Sequence, residues 1–369
     1  MKKIAFISNM AAPYQIENCK YLNQFTGNEY YFIFTLDLES NRPVYWKNLP
    51  FEEENTLVLK TPKFITKKIY YNPDVFEELN KLNPDVVIVG GYNNLTGFLA
   101  ALWAKKNRKK RVLYVERFLN SGWLKSKIKK LIFRIVSRVY DVVFAIGNDA
   151  YKEYSKLANS EVFNIPYLLN VDRYNSKKMF NEGGSDIVFL YSGRFSENQP
   201  TTILLNAFVE LCENYSDIRL ILSGNGENLQ DCLNIANNSN FSDKIIVDNS
   251  YTSWFEMPSL YAKADILVAP LKHSGWGFVV EEAMASGLGI ITTYETSAGN
   301  ENIIDQYNGY LISYSKDEKI FKDSIKNAMR KYIENRELIS IHGRRNKEIK
   351  SSCDFKSNID KFDKMISGV

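Results

Sequence analysis

The sequence predicts an α/β protein of two doubly wound domains, each a parallel sheet wrapped by helices, facing one another across a cleft. Three observations lead there. Short apolar runs rich in β-branched residues alternate with runs of helical period along nearly the whole chain. The alternation breaks once, at a polar stretch from Asn175 to Ser185 that contains Gly183-Gly184, and then restarts. Between Ala264 and Thr293 the chain reads as strand, glycine loop, helix and strand in direct succession. At 369 residues, 45% hydrophobic and 24% charged, it has the size of two ordinary domains and a globular composition.

Taken in order, Ile4–Ser8 is a buried-type strand, followed by a loop from Asn9 to Tyr14 and a helix to about Phe25. Strands follow at Tyr31–Leu36 and Asp85–Val89, the latter running into Gly90-Gly91-Tyr92. A helix covers Leu95 to Lys106, Val112–Val115 is a strand, and a helix starts at Leu124. Asp141–Ala145 is a strand, and Asn148, a suitable cap, opens a helix to about Leu157. These elements make a first domain of residues 1–174, and residues 175–185 make a linker. The second domain, 186–353, begins with strand Ile187–Tyr191, the loop Ser192-Gly193-Arg194 and a helix from about Thr201. Strand Leu220–Leu222, the loop Ser223-Gly224-Asn225-Gly226, a helix to about Ala236, strand Lys244–Val247 and a helix around Pro258–Ala262 follow. Lys316 to Asp363 is mostly helical and polar.

Composition narrows the function. Four scattered cysteines, Cys19, Cys212, Cys232 and Cys353, lack disulfide-framework or metal-ligand spacing and read as reduced thiols. Two histidines, His273 and His342, exclude a histidine-rich metal site. Met1-Lys2-Lys3 leads into an apolar run too short for a secretory signal, and no run reaches the length of a membrane span. The expectation is a cytoplasmic chain. Net charge is +4, yet thirteen Lys or Arg and one acid, Glu116, fall between Ala104 and Arg138. In the helix from Leu124, an apolar row (Leu124, Ile128, Leu131, Ile132, Ile135, Val139) is expected to pack on the sheet. Its basic face, around Lys127, Lys130 and Arg134, is expected to stay in water and draw the protein to the inner face of an anionic membrane. Nucleic acid is a weaker alternative and is not expected as a partner, because aromatic residues are not interleaved here for base stacking.

Ala269–Thr293 carries the densest pattern, Ala-Pro-Leu-Lys-His-Ser-Gly-Trp-Gly-Phe-Val-Val-Glu-Glu-Ala-Met-Ala-Ser-Gly-Leu-Gly-Ile-Ile-Thr-Thr. A helix entered through such a glycine loop presents N–H groups and a positive dipole end, a seat for phosphate. A plain strand-to-helix connection would use the same residues. The segment resembles the donor-site motif of family 4 retaining glycosyltransferases (glycosyl transferases group 1, GT-B fold). In their pattern an acidic residue precedes a Gly-aromatic-Gly turn, and Glu-Ala-Met-Ala follows four residues later. Gly275-Trp276-Gly277 and Glu282-Ala283-Met284-Ala285 fit, while Ser274 stands at the acidic position.

The resemblance implies a sugar transfer from a nucleotide sugar to a hydroxyl acceptor, saccharide or lipid-linked, with retained configuration and no metal or other cofactor. Bacterial surface polysaccharide or glycolipid synthesis is the implied setting. It implies that Arg194, behind Gly193, grips the donor diphosphate, a task that suits a planar cation. Gln199 stands where the family has a Lys. Gly224 and Gly226 would lie near the nucleotide, and Asn249 and Tyr251 near the base. Glu282 would hold the ribose hydroxyls and Ser274 the sugar. Trp276 would wall the loop, and Gly275, Gly277, Phe278 and Val279 would seat the phosphates at the helix start. Glu281 is expected to be an exposed helix acid. Glu116-Arg117 occupies the region where the family often has a first-domain His. The last helix, within 354–369, is expected to return to the first domain. With Ser274 and Gln199 at two family positions, a second reading stays open: a weakly active or non-catalytic homologue serving as a nucleotide-binding or partner subunit.

Overall fold

The computed structural model describes residues 1–36, 54–66, 69–118, 123–174, 186–197, 200–251, 253–352 and 354–369. The expected linker and Gln199 lie outside the described residues. The chain divides into two units, one of the described residues up to Leu169 together with Phe355–Val369, the other Asn170–Asp354. The division therefore falls before Asp172–Tyr174, and this turn, expected at the end of the first domain, belongs to the second unit.

In chain order the first unit holds β1 (Lys3–Met10), α1 (Pro13–Phe25), β2 (Glu29–Leu36), β3 (Thr56–Val58), β4 (Lys63–Phe64), β5 (Tyr70–Tyr71) and α2 (Val75–Leu82). It continues with β6 (Val86–Gly90), α3 (Leu95–Lys106), β7 (Lys110–Val115), α4 (Trp123–Ser137), β8 (Val142–Ala145), α5 (Gly147–Tyr154) and β9 (Glu161–Asn164). Seven strands pair in parallel in the order β3-β2-β1-β6-β7-β8-β9, and β4 with β5 forms a small antiparallel hairpin. The order reverses direction at β1, as double winding requires. Local rules set several ends. Pro13 starts α1, where its missing N–H costs nothing. Asn94 caps α3 by accepting the Gly97 N–H at 3.0 Å.

Strand residues alternate between the two faces of this sheet. Ala5, Ile7, Val87, Val89, Leu113 and Val115 meet α2 to α5 through Val75, Leu79, Ala100, Ala104, Phe133 and Tyr154. Phe6, Phe32, Tyr114 and Phe144 serve the other face. The chain's last helix, Phe355–Gly368, lies there, with Phe362 edge-on to Tyr114 and Phe144 at 6.0 and 6.1 Å. Tyr30 donates to Asp363 at 2.7 Å and ties that helix down.

Two sequence expectations fail in this unit. Asn148 does not cap α5; Ile146 precedes the helix without a side-chain bond, Gly147 opens it at φ 82°, and Asn148 accepts from Asn164 instead. The expected apolar row does not pack on the sheet, save for Val139, which lies partly buried against the core just past α4. Leu124, Ile128, Leu131, Ile132 and Ile135 are 45–62% exposed. The row half a turn away wins the core because Phe133 stacks on Tyr154 at 4.4 Å and meets Phe118 and Tyr92 edge-on, with Ser137 buried beside it.

The second unit holds β10 (Ile187–Ser192), α6 (Thr201–Cys212), β11 (Ile218–Ser223), α7 (Leu229–Asn238), β12 (Ile245–Val247), α8 (Met257–Ala262) and β13 (Ile266–Ala269). After these come α9 (Phe278–Ala285), β14 (Gly289–Thr293), α10 (Ser297–Asn302), β15 (Tyr310–Ile312), α11 (Glu318–Glu334) and α12 (Glu337–Ser351), leaving α13 (Phe355–Gly368) to the first unit. Six parallel strands run β12-β11-β10-β13-β14-β15, so the order reverses at β10. His342 is fully buried here, with Nδ1 2.8 Å from the Tyr332 hydroxyl, and burial lowers its pKa. It is a core residue.

Candidate functional site

Loops of a doubly wound sheet gather at the carboxyl ends of its strands, and ligands collect where the strand order reverses. In the second unit that point is the end of β10, with β11 and β13 on either side. Every second-domain candidate from the sequence follows one of β10 to β13, Gln199 lying outside the described residues.

The loops after β10 and β11 interlock through their backbones. The Gly193 N–H donates to Ser223 O at 3.0 Å, and the Phe195 N–H to Asn225 O at 3.1 Å. A Cβ on Gly224 would sit 1.7 Å from the Gly193 carbonyl oxygen, at φ 143°, so no side chain fits. Gly226 is likewise pressed on Phe195, where a Cβ would meet the carbonyl oxygen at 2.2 Å. Asn249 accepts the Gly224 N–H at 2.8 Å, which makes its amide a clamp on this loop. Tyr251 is buried under Lys263, whose ammonium lies 5.2 Å from the ring centre and 3.0 Å from Asp248. Arg194 leaves the loop half-buried. Its carbonyl accepts the Tyr191 hydroxyl, while its own Nε is buried with no hydrogen-bond partner among the described residues.

The loop after β13 ends at Gly277, which stands at φ 104° and leads into α9 without any side-chain cap. A Cβ there would meet the Thr296 methyl at 2.5 Å. Half-buried Ser274 bridges to Thr296 and donates its N–H to Glu295 O at 3.2 Å. Gly275 is buried; Phe278 and Val279, the first helical residues, are half-buried. Trp276 walls the loop from inside, 4% exposed.

Two acids follow, and both differ from their sequence reading. Glu281 is no exposed helix acid: it accepts Trp276 Nε1 at 2.6 Å and pairs with Lys350 at 2.5 Å. Glu282 is 3% exposed, and both its oxygens are engaged, Oε1 by the Tyr174 hydroxyl at 2.9 Å and Oε2 by the Tyr261 hydroxyl at 2.5 Å. Burial raises its pKa, against the opposing pull of the two phenols and of the Arg173 charge. Arg173 in turn stacks between rings, 5.6 Å from Trp254 and 5.1 Å from Phe255. A carboxylate has about four lone-pair sites, so two remain for a ligand hydroxyl if one reaches this depth. Sequence reasoning missed Tyr174, Tyr261, Arg173, Trp254 and Lys350. Their side chains are ordinary in local context, and only the fold brings them to the motif.

In the first unit, Glu116 is half-buried and accepts the Tyr167 hydroxyl, and desolvation of its carboxyl raises its pKa. Arg117 donates to Asp149 at 3.1 Å. Among the described residues no three His, Cys, Asp or Glu stand close enough to hold a metal ion.

Residues 172–346, nearly all of the second unit, match the family Glycosyl transferases group 1. The chain is similar to the uncharacterized glycosyltransferase MJ1178 of Methanocaldococcus jannaschii, 29% identical over 174 residues, 47% of this chain and 46% of that protein. It is also similar to the GtfA subunit of the UDP-N-acetylglucosamine–peptide N-acetylglucosaminyltransferase of Limosilactobacillus reuteri subsp. suis. That match is 26% identical over 141 residues, 36% of this chain and 27% of that protein. The matches thus span half or less of these relatives. Among solved structures, the pneumococcal O-GlcNAc transferase GtfA in complex with UDP and GlcNAc superposes with TM-score 0.75 at 12% identity, covering 100% of this chain and 99% of that one. Anabaena Alr3699/HepE in complex with UDP and glucose gives TM-score 0.74 at 13% identity, with both chains covered in full. The fold is GT-B, two Rossmann-like domains.

Proposed function

We propose, from the match of residues 172–346 to glycosyl transferases group 1, that this chain moves a sugar from a nucleotide-sugar donor to a hydroxyl acceptor. The observation that carries the proposal is Arg194. Its Nε is buried with no partner among the described residues, on a glycine-walled loop at the point where the sheet order reverses. A buried N–H of a permanent cation without a partner is costly, and a diphosphate oxygen is the partner that fits it.

In this reading the departing diphosphate is the charge to be stabilised. Arg194 and the uncapped start of α9 at Gly277, Phe278 and Val279 supply that stabilisation, with Gly193 and Gly275 leaving room for the phosphates. Neither a metal nor another cofactor is called for. Ser274 contacts the donor sugar through its hydroxyl. Glu282 takes the ribose hydroxyls on its two remaining lone-pair sites. Asn249 holds the Gly224–Gly226 loop beside the nucleotide, and Tyr251 supports the base pocket from below. UDP sugars are the first donors to try, since UDP is bound in both GT-B structures compared above. The finer reading is retention of configuration on a family 4 site, in a cytoplasmic step of bacterial surface polysaccharide or glycolipid synthesis.

One observation favours the second reading, a nucleotide-binding partner subunit: the enclosure of Glu282 by Tyr174 and Tyr261. Calorimetry against nucleoside diphosphates, followed by assays of donor hydrolysis and of transfer to saccharide and lipid-linked acceptors, separates the two. Binding with turnover supports the transferase; binding without any turnover supports the nucleotide-binding subunit; no nucleotide binding defeats both of these and leaves only a subunit that binds another protein.

A further inference from the structure

We propose that α4 is an in-plane membrane helix that seats the first unit on an anionic lipid bilayer. Two elements of this unit turn rows of large apolar side chains outward, helix α4 and the hairpin of β4 and β5. At about 100° per residue, Leu124, Ile128, Leu131 and Ile135 fall within about 60° of one another, with Ile132 beside them. All five are exposed, while Phe133 and Ser137 on the far side are buried. Arg134 and Arg138, with Lys127, flank the stripe on one side, and Lys125 flanks it on the other; all four are exposed. Basic side chains bordering an apolar stripe on both sides fit a bilayer, where the stems lie along the acyl region and the charges reach the headgroups.

Lys130, expected in the basic face, is instead turned toward Glu153 at 3.6 Å and is left out of the contact. With 15 residues, α4 is about 22 Å long, short of the bilayer's hydrocarbon thickness. No helix among the described residues is long and apolar enough to cross a membrane, so α4 lies on the surface.

The hairpin adds a second contact. Phe64, Ile65 and Ile69 are 50–61% exposed beside the exposed Lys63. Tyr70 of β5 meets the Thr35 hydroxyl at 2.9 Å, which ties the hairpin to the carboxyl end of β2. α4 starts beyond the carboxyl end of β7, on the same edge of the sheet. The charge decides the occupant. The exposed Lys125, Lys127, Arg134 and Arg138 bordering the stripe complement an anionic surface, and the stripe's own side chains, Leu124, Ile128, Leu131, Ile132 and Ile135, offer no aromatic ring for stacking on bases.

The test is sedimentation of the full chain with vesicles of phosphatidylglycerol and phosphatidylcholine, against phosphatidylcholine alone, in about 0.1 M salt, where charges are screened over about 10 Å. Two variants are compared, Lys127→Glu/Arg134→Glu/Arg138→Glu and Leu131→Ser/Ile135→Ser. The parent should bind the anionic vesicles and not the neutral ones. Each variant should lose binding at least about tenfold with its melting temperature unchanged, since these side chains are exposed. Should either variant melt early, the parent's own salt series decides, with binding falling severalfold by about 0.5 M salt. Failure of the parent to bind anionic vesicles overturns the proposal. So does full binding by a folded Leu131→Ser/Ile135→Ser, or a self-association in solution that this variant abolishes while vesicle binding stays at background.

Discussion

Arg194→Ala should separate stability from nucleotide affinity in a way that a structural arginine cannot. The Arg194 Nε is buried without a hydrogen-bond partner among the described residues. Leaving such a donor unmet costs about 1–3 kcal/mol, so its removal offsets much of the packing lost with the side-chain stem. The melting temperature of the free variant should therefore hold or rise slightly. With UDP the outcome reverses. Losing a hydrogen bond to a charged group costs about 1.5–3 kcal/mol, roughly ten- to 150-fold in Kd. At a UDP concentration about a hundred times the parent's Kd, bound ligand stabilises the parent by about 2.7 kcal/mol. A hundredfold weaker variant keeps about 0.4 kcal/mol of that. For a unit of this size about 1 kcal/mol corresponds to 2–4 °C. The UDP-induced shift should fall from about 5–11 °C to about 1 °C, checked by calorimetric Kd. A free variant that melts more than about 5 °C early would make Arg194 a structural residue. An undiminished UDP shift would show the diphosphate site to be elsewhere.

Four further outcomes are expected. Tyr261→Phe removes the 2.5 Å donor from the Glu282 carboxylate and should destabilise the second unit by about 1.5–3 kcal/mol, an effect largely absent in a Glu282→Gln background when both are followed by denaturant unfolding. Because burial raises the folded pKa of Glu282, its contribution is fully present in acid and is lost as pH rises through that raised value; Glu282→Gln should flatten this fall in melting temperature above the ordinary carboxylate range, and an unchanged pH profile would refute the burial argument. Gly277→Ala forces a side chain into φ 104° and against Thr296, for about 2–4 kcal/mol, and Thr296→Ser should recover only the steric part in thermal melts. Gln199→Lys adds a cation where the resemblance implies one and should tighten nucleoside diphosphates severalfold by calorimetry without changing nucleoside affinity.

Much of the fold was legible because parallel sheets bury their strands on both faces, so that short unbroken apolar runs such as Ile4–Ile7, Val86–Val89 and Ile187–Tyr191 suit a central strand better than any surface element. The strands of the two parallel sheets that escaped, Thr56–Val58, Glu161–Asn164 and Tyr310–Ile312, are three or four residues at sheet edges, where one partner suffices and the pattern is too short to register. The two-residue strands of the β4–β5 hairpin escaped for the same shortness. Periodicity showed that the helix from Leu124 has an apolar row, yet it could not say which side meets the sheet. That choice was made by Phe133, whose ring completes a cluster with Tyr92, Phe118 and Tyr154 gathered from three other segments.

The candidate site divides along the same line. Glycines and the Glu-Ala-Met-Ala run are local features, and the structure places the glycines on loops at the carboxyl ends of adjacent strands and the run in α9, which follows one of those loops. The environment of each acid is a long-range property. Tyr174 lies 108 residues from Glu282, and Lys350 lies 69 residues from Glu281. Two neighbouring glutamates on one helix consequently reach opposite states, Glu281 paired with a cation and Glu282 held between two phenols with its proton affinity raised. A motif can specify that a carboxylate stands at a given turn of α9. Whether that carboxylate meets a ribose or a tyrosine depends on which distant segment folds over it, and that makes Tyr174 and Tyr261 the residues on which the two functional readings turn.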